Sequence, residues 1–165
     1  MRLLRRDERV LLMRAAAGAV PVLPFRPQSG EEHAIRVSVA SAAAMAGEFR
    51  NPSWRLVVNS RERAIFAVAP GIYPDLVALD GSEAGVAWVM EVASPMTLAD
   101  GAAWERWTQL AATGLSFILT VPYGCRRLAR EISDSLGLKV GLIYEYGITP
   151  EGVIFPAKHE IRRHP

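Results

Sequence analysis

The sequence predicts an α/β domain, a mixed β-sheet flanked by helices, and three observations carry that expectation. Short apolar runs between residues 55 and 93 are separated by turn-forming residues, as in neighbouring strands. Two stretches of helical period, 98–113 and 126–136, sit on either side of the apolar run 116–121. Half of the 165 residues are apolar, and the 19 basic and 17 acidic residues nearly cancel, so the chain can close one hydrophobic core.

The first twenty residues interleave Arg2, Arg5, Arg6, Arg9 and Arg14 with Leu3, Leu4, Val10, Leu11, Leu12 and Met13. Asp7, Glu8 and Arg14 interrupt the apolar stretch that a secretory signal needs, so this segment reads as a peripheral arm. Pro21, Pro24 and Pro27 then mark a linker, which gives an arm and linker over 1–30, a core over 31–156 and a tail over 157–165. Between Ala34 and Phe49, Ile35, Val37 and Val39 alternate like a strand while Ala42–Met45 favour helix, so a strand running into a helix is expected there. Arg55–Asn59 and Ala64–Ala69 flank the polar residues 60–63 as a hairpin would. Asp75–Leu79 and Val86–Ala93 follow as two more strands around Asp80, Gly81 and Ser82.

Leu98–Thr113 reads as a helix with Ala103, Trp107, Leu110 and Ala111 on one stripe, stopped by Gly114. Ser116–Val121 is a short buried strand, and Arg126–Leu136 a helix with Leu128, Ala129, Ile132 and Leu136 inward. Arg127 with Glu131, and Arg130 with Asp134, are spaced i to i+4 on its outer face. Lys139–Tyr146 and Val153–Phe155 close the chain as a C-terminal β-hairpin.

Asp75 and Glu91 stand out chemically. Glu91 lies inside the apolar run Trp88–Ala93, where a desolvated carboxylate must be paired, protonated or bound to metal. Asp75 opens the neighbouring strand, so the two acids can meet around a hard divalent cation such as Mg²⁺, which would polarise a phosphoryl oxygen and acidify a water. Other readings stand beside this one. Asp75 can cap a turn after Pro74, and Glu91 can be satisfied by Arg106 in a buried ion pair.

Pro74-Asp75 before an apolar strand, a second strand ending in Glu91-Val92-Ala93-Ser94-Pro95-Met96-Thr97, then a helix and a hydrophobic strand, resembles the PD-(D/E)xK nuclease superfamily. The resemblance spans roughly Ile72–Gly137, and its nearest look-alikes are bacterial restriction-endonuclease-like proteins. It implies a restriction-endonuclease-like core with Asp75 and Glu91 as Mg²⁺ (or Mn²⁺) ligands, the Val92 carbonyl as a further ligand, and DNA phosphodiester hydrolysis. The pattern departs two residues after the glutamate, where the superfamily lysine is replaced by Ala93. Relatives sometimes supply the cation from the following helix, and here that position offers Arg106. Arginine steadies a phosphate or developing charge but is a poor activator of water. The alternative is therefore a catalytically degenerate nuclease-fold protein serving as a nucleic-acid-binding or protein-interaction module.

Seventeen of the nineteen basic residues are arginine. Arg61 and Arg63 at the expected hairpin tip, with Arg126, Arg127 and Arg130, are candidates for contacting a DNA backbone, although solvated surface charge is the default for such residues. Trp104 and Trp107 can stack on bases, but their helical spacing favours core packing. Cys125 near a helix start is either a thiol activated by the helix dipole or a packed core thiol, and its stripe neighbours favour the second. His33, His159 and His164 lack zinc-ligand spacing. No run of eighteen apolar residues occurs, and the lone cysteine suits a reducing cytoplasm. A structural homodimer, paired through the apolar hairpin Leu142–Phe155, is a third reading.

Overall fold

The computed structural model describes residues 30–49, 51–60, 66–81, 85–99 and 101–156, so all of the arm and linker but Gly30, the tail at 157–165 and the tip containing Arg61 and Arg63 lie outside the described residues. The described chain is an α/β fold with a six-stranded mixed sheet in the order β1 (Arg55–Val58), β2 (Leu76–Leu79), β3 (Val86–Val92), β4 (Phe117–Pro122), β5 (Leu142–Thr149) and β6 (Gly152–Ile154). The first three strands form an antiparallel meander, β4 and β5 join parallel, and β6 folds back antiparallel.

Parallel neighbours need crossover connections. Helices α2 (Pro95–Ala99) and α3 (Gly101–Ala112) link β3 to β4, and α4 (Arg126–Ser135) links β4 to β5. Both crossovers cover one face, where Trp107, Leu110, Ala129 and Ile132 pack on Val77, Val89, Leu119, Val121 and Ile143. The other face is covered by α1 (Gly30–Met45), whose Val39, Ala40 and Ala43 pack with Leu76, Ala78, Trp88, Met90 and Val92. Alternation along β3 sorts its side chains between these two clusters: Val89 and Ala93 belong to the first, Trp88, Met90 and Val92 to the second.

Two expectations are corrected. Residues 34–45 contain no strand: α1 is continuous, and a 3₁₀ turn at Gly47–Phe49 follows it. Its buried residues, Glu32, Arg36, Val39, Ala40 and Ala43, fall at helical period, but two are charged, so the apolar pattern alone misread the segment. Among the described residues, 66–69 form no strand against β1, which pairs instead with β2, placing Arg55 opposite Leu79 and Val58 opposite Leu76; residues 64 and 65 of the expected partner lie outside the described residues. Within 66–69, Ala69 forms an isolated bridge to Ile72. Asn59 explains the longer excursion. Its side-chain amide donates to the carbonyls of Phe66 and Pro74 at 2.9 and 2.7 Å and its carbonyl accepts the Phe66 N–H, closing the loop from within.

The remaining elements shift by a few residues. The helix expected over 98–113 is covered by α2 and α3, which lie on either side of residue 100, outside the described residues; Gly114 stops α3 with φ +73°, and the final hairpin turns at Pro150 and Glu151. Trp107 is fully buried and Trp104 half-buried, so both pack on the core rather than standing free for bases. Among the described residues, no helix is long and apolar enough to cross a membrane.

Candidate functional site

The strand register places Asp75 and Glu91 together. Leu76 pairs with Met90 in the antiparallel β2–β3 ladder, and one step further sets Asp75 directly across from Glu91 on the same face. Asn59 anchors this end of β2, since its N–H donates to the Asp75 carbonyl at 2.9 Å while its side chain holds Pro74. The Val92 N–H donates to Asp75 Oδ2 at 2.8 Å, so Val92 joins the site as a donor.

Guanidinium groups occupy the space between the carboxylates. Arg36 of α1 donates from Nε to Asp75 Oδ2 at 3.1 Å and from Nη2 to Oδ1 and Oδ2, each at 2.8 Å. The same Nη2 donates to Glu91 Oε1 at 2.5 Å. From the opposite side Arg106 of α3 brings Nε within 2.5 Å of Glu91 Oε1 in a charge contact lacking hydrogen-bond alignment, while its Nη2 donates to the Tyr73 carbonyl. Glu32, one turn before Arg36 on α1, is buried as well. Three buried acids, the buried Arg36 and the partly exposed Arg106, from α1, the start of β2, β3 and α3, thus form one ionic cluster.

Electrostatics here are governed by burial. Glu91 is only 2 % exposed, and desolvation raises its carboxyl to about 7 against the opposing pull of Arg106 and Arg36. Burial alone would lower Arg36, but facing Glu91, Asp75 and Glu32 outweigh it and its pKa is raised, so it stays charged. Glu91 Oε2 is buried with no hydrogen-bond partner. Such an oxygen is satisfied by carrying a proton or by an external cation.

The donor set does not fit a hard divalent ion as it stands. Among the described residues no group of three or more His, Cys, Asp and Glu side chains is placed to share a metal. Both candidate acids are already engaged by Arg36. The position of the superfamily lysine, Ala93, is 1 % exposed and packs in the apolar cluster with Leu98 and Trp107, so that position supplies no cation.

The outlying candidates separate from this cluster. Arg127 is exposed and pairs with Glu131 at 2.8 Å, as the i to i+4 spacing predicts. Arg126 begins α4, where the buried Glu145 of β5 accepts the N–H groups of Gly124 and Arg126 at 3.0 and 3.2 Å and lies 3.7 Å from the Arg126 Nε. Glu145 thereby takes the role of a helix cap from a neighbouring strand, and Cys125 at the N-cap makes no side-chain cap. Burial and then the Glu145 charge push the Cys125 thiol pKa up, which opposes activation by the helix dipole. Glu145→Ala should lower stability by about 1–2 kcal/mol, read as a shift in the urea midpoint at constant slope.

Sequence reasoning found Asp75, Glu91 and Arg106 and missed Arg36 and Glu32. The available signal was an acid–base pair at i and i+4 within an otherwise apolar stretch, but the alternation of Ile35, Val37 and Val39 concealed it. A surface hollow of about 360 Å³, lined by Ala44, Asn51, Pro52, Trp54 and Leu56, shares no residue with the cluster. Comparison of the chain with protein-family models, with curated proteins and with solved structures returns no match.

Proposed function

We propose that this chain is a nuclease-like α/β domain that binds nucleic acid without hydrolysing it. One observation carries the reading: a single guanidinium nitrogen, Arg36 Nη2, reaches both Asp75 and Glu91, at 2.8 and 2.5 Å, and holds the position a divalent cation would need. Arginine remains protonated at any working pH, so it neither activates water nor vacates its charge. The meander β1–β3, with an acid before β2 and another near the end of β3, followed by a helix and a parallel strand, supports a restriction-endonuclease-like ancestry.

Charge placement supports the nucleic-acid partner. Residues 1–29 carry six arginines against two acids and residues 157–165 three basic residues against one, whereas 30–156 carry ten basic against fourteen acidic residues. Basic segments on either side of an acidic core suit phosphate contacts made from the chain ends. DNA binding measured by fluorescence anisotropy should weaken steeply with salt, Mg²⁺ and Mn²⁺ titrations should give no calorimetric heat of binding, and linear, supercoiled and branched DNA should stay uncut.

A second reading, Mg²⁺-dependent DNA hydrolysis through Asp75 and Glu91 with Arg106 on the phosphate, is favoured by the unpartnered Glu91 Oε2. Metal-dependent cutting that disappears in both Asp75→Ala and Glu91→Ala would replace the first reading with this one.

A further inference from the structure

Three large apolar or aromatic side chains stand exposed near one end of the sheet, where β2 begins and β3 and β4 end. Tyr73 is 38 % exposed, Tyr123 58 %, and Met96 follows β3 in α2. Extending the register from Leu76↔Met90 brings Tyr73 beside Ala93, and extending it from Val92↔Thr120 brings Tyr123 beside Pro95. Neighbouring strands are about 4.8 Å apart, so the two tyrosines leave strands separated by roughly 10 Å. Tyr123 is held here because its N–H donates to the Tyr146 carbonyl at 2.8 Å, while the Tyr146 hydroxyl donates to the Ala93 carbonyl at 3.1 Å.

Each exposed ring has a partly exposed guanidinium near it in the structure or the chain. Arg106, 31 % exposed in its side chain, bonds the Tyr73 carbonyl, and Arg126, 38 % exposed, lies three residues after Tyr123. Aromatic faces beside arginines match unpaired nucleotides: the rings stack on bases of any identity and the guanidiniums meet phosphates. A duplex keeps its base faces within its own stack and offers them to neither ring.

We infer that this end of the sheet binds single-stranded nucleic acid, with unpaired bases stacked on Tyr73 and Tyr123. This rests on the nucleic-acid reading above and narrows it to a ligand class. The test uses the full chain and anisotropy of fluorescein-labelled dT12, rU12 and a 12-base-pair DNA duplex at one salt concentration. The single strands should bind at least about tenfold more tightly than the duplex, and comparison of dT12 with rU12 identifies the preferred strand. Tyr73→Ala and Tyr123→Ala should each weaken single-strand binding about 5- to 100-fold, while Tyr73→Phe and Tyr123→Phe should restore it because stacking needs the ring alone. Thermal melts serve as the folding control for these exposed positions. Equal binding of duplex and single strand, or alanine variants that bind as the wild type does, overturns this inference and leaves the nucleic-acid reading standing. Failure of all three probes to bind overturns both.

Discussion

Arg36→Ala is expected to destabilise the protein by about 3–5 kcal/mol, because it leaves two buried carboxylates facing each other without their shared cation. Arg36 makes three hydrogen bonds to Asp75 and one to Glu91, and it links α1 to β2 and β3. Arg106 contacts Glu91 alone among these acids, so it cannot replace Arg36 at Asp75. Chemical denaturation read by circular dichroism checks the size of the loss. The control is the triple variant Arg36→Met, Asp75→Asn, Glu91→Gln, which removes the charges together and should recover most of the stability, since a buried ionic group is costly to break but often replaceable as a unit. A loss below about 1 kcal/mol in Arg36→Ala would mean that the cluster does not hold α1 on the sheet.

Glu91 should give the wild type a stability that falls as pH rises. Its folded carboxyl titrates at about 7 against an ordinary value of 4.5, so between those values the native state holds a proton that the unfolded chain has released. The stabilising contribution is therefore complete below about pH 4.5 and lost as pH climbs through 7. The full swing is at most about 3 kcal/mol at 1.36 kcal/mol per unit of pKa difference. Glu91→Gln keeps the shape of the neutral acid and removes the titration. The difference in unfolding free energy between wild type and Glu91→Gln, measured at half-unit steps from pH 4.5 to 8, should change by roughly that amount. A flat difference would mean that Glu91 is ionised throughout and fully held by its two arginines.

The cross-strand acid pair was legible because a carboxylate in an apolar strand is costly and Pro74-Asp75 marks where the adjacent strand begins. Arg106 was legible as the one basic residue on the following helix. Arg36 was not, since it comes from an element distant in the chain whose apolar residues also alternate, and whose helical identity is fixed by packing on Trp88, Met90 and Val92. The pairing of β1 was obscured for a related reason. Local turn chemistry at 60–63 favours the nearest partner, whereas Asn59 bonds across the excursion to Phe66 and Pro74 and directs β1 onto β2.

Composition and periodicity were enough for an α/β domain with antiparallel strands first and helix-linked strands after, because burial of apolar faces follows a short-range pattern. They also brought Asp75 and Glu91 to adjacent strands. Which cation meets those acids is a long-range matter, since Arg36 lies 39 and 55 residues away from them along the chain. Packing of α1 across the sheet brings its guanidinium to both carboxylates, and that contact sets an arginine between the two acids.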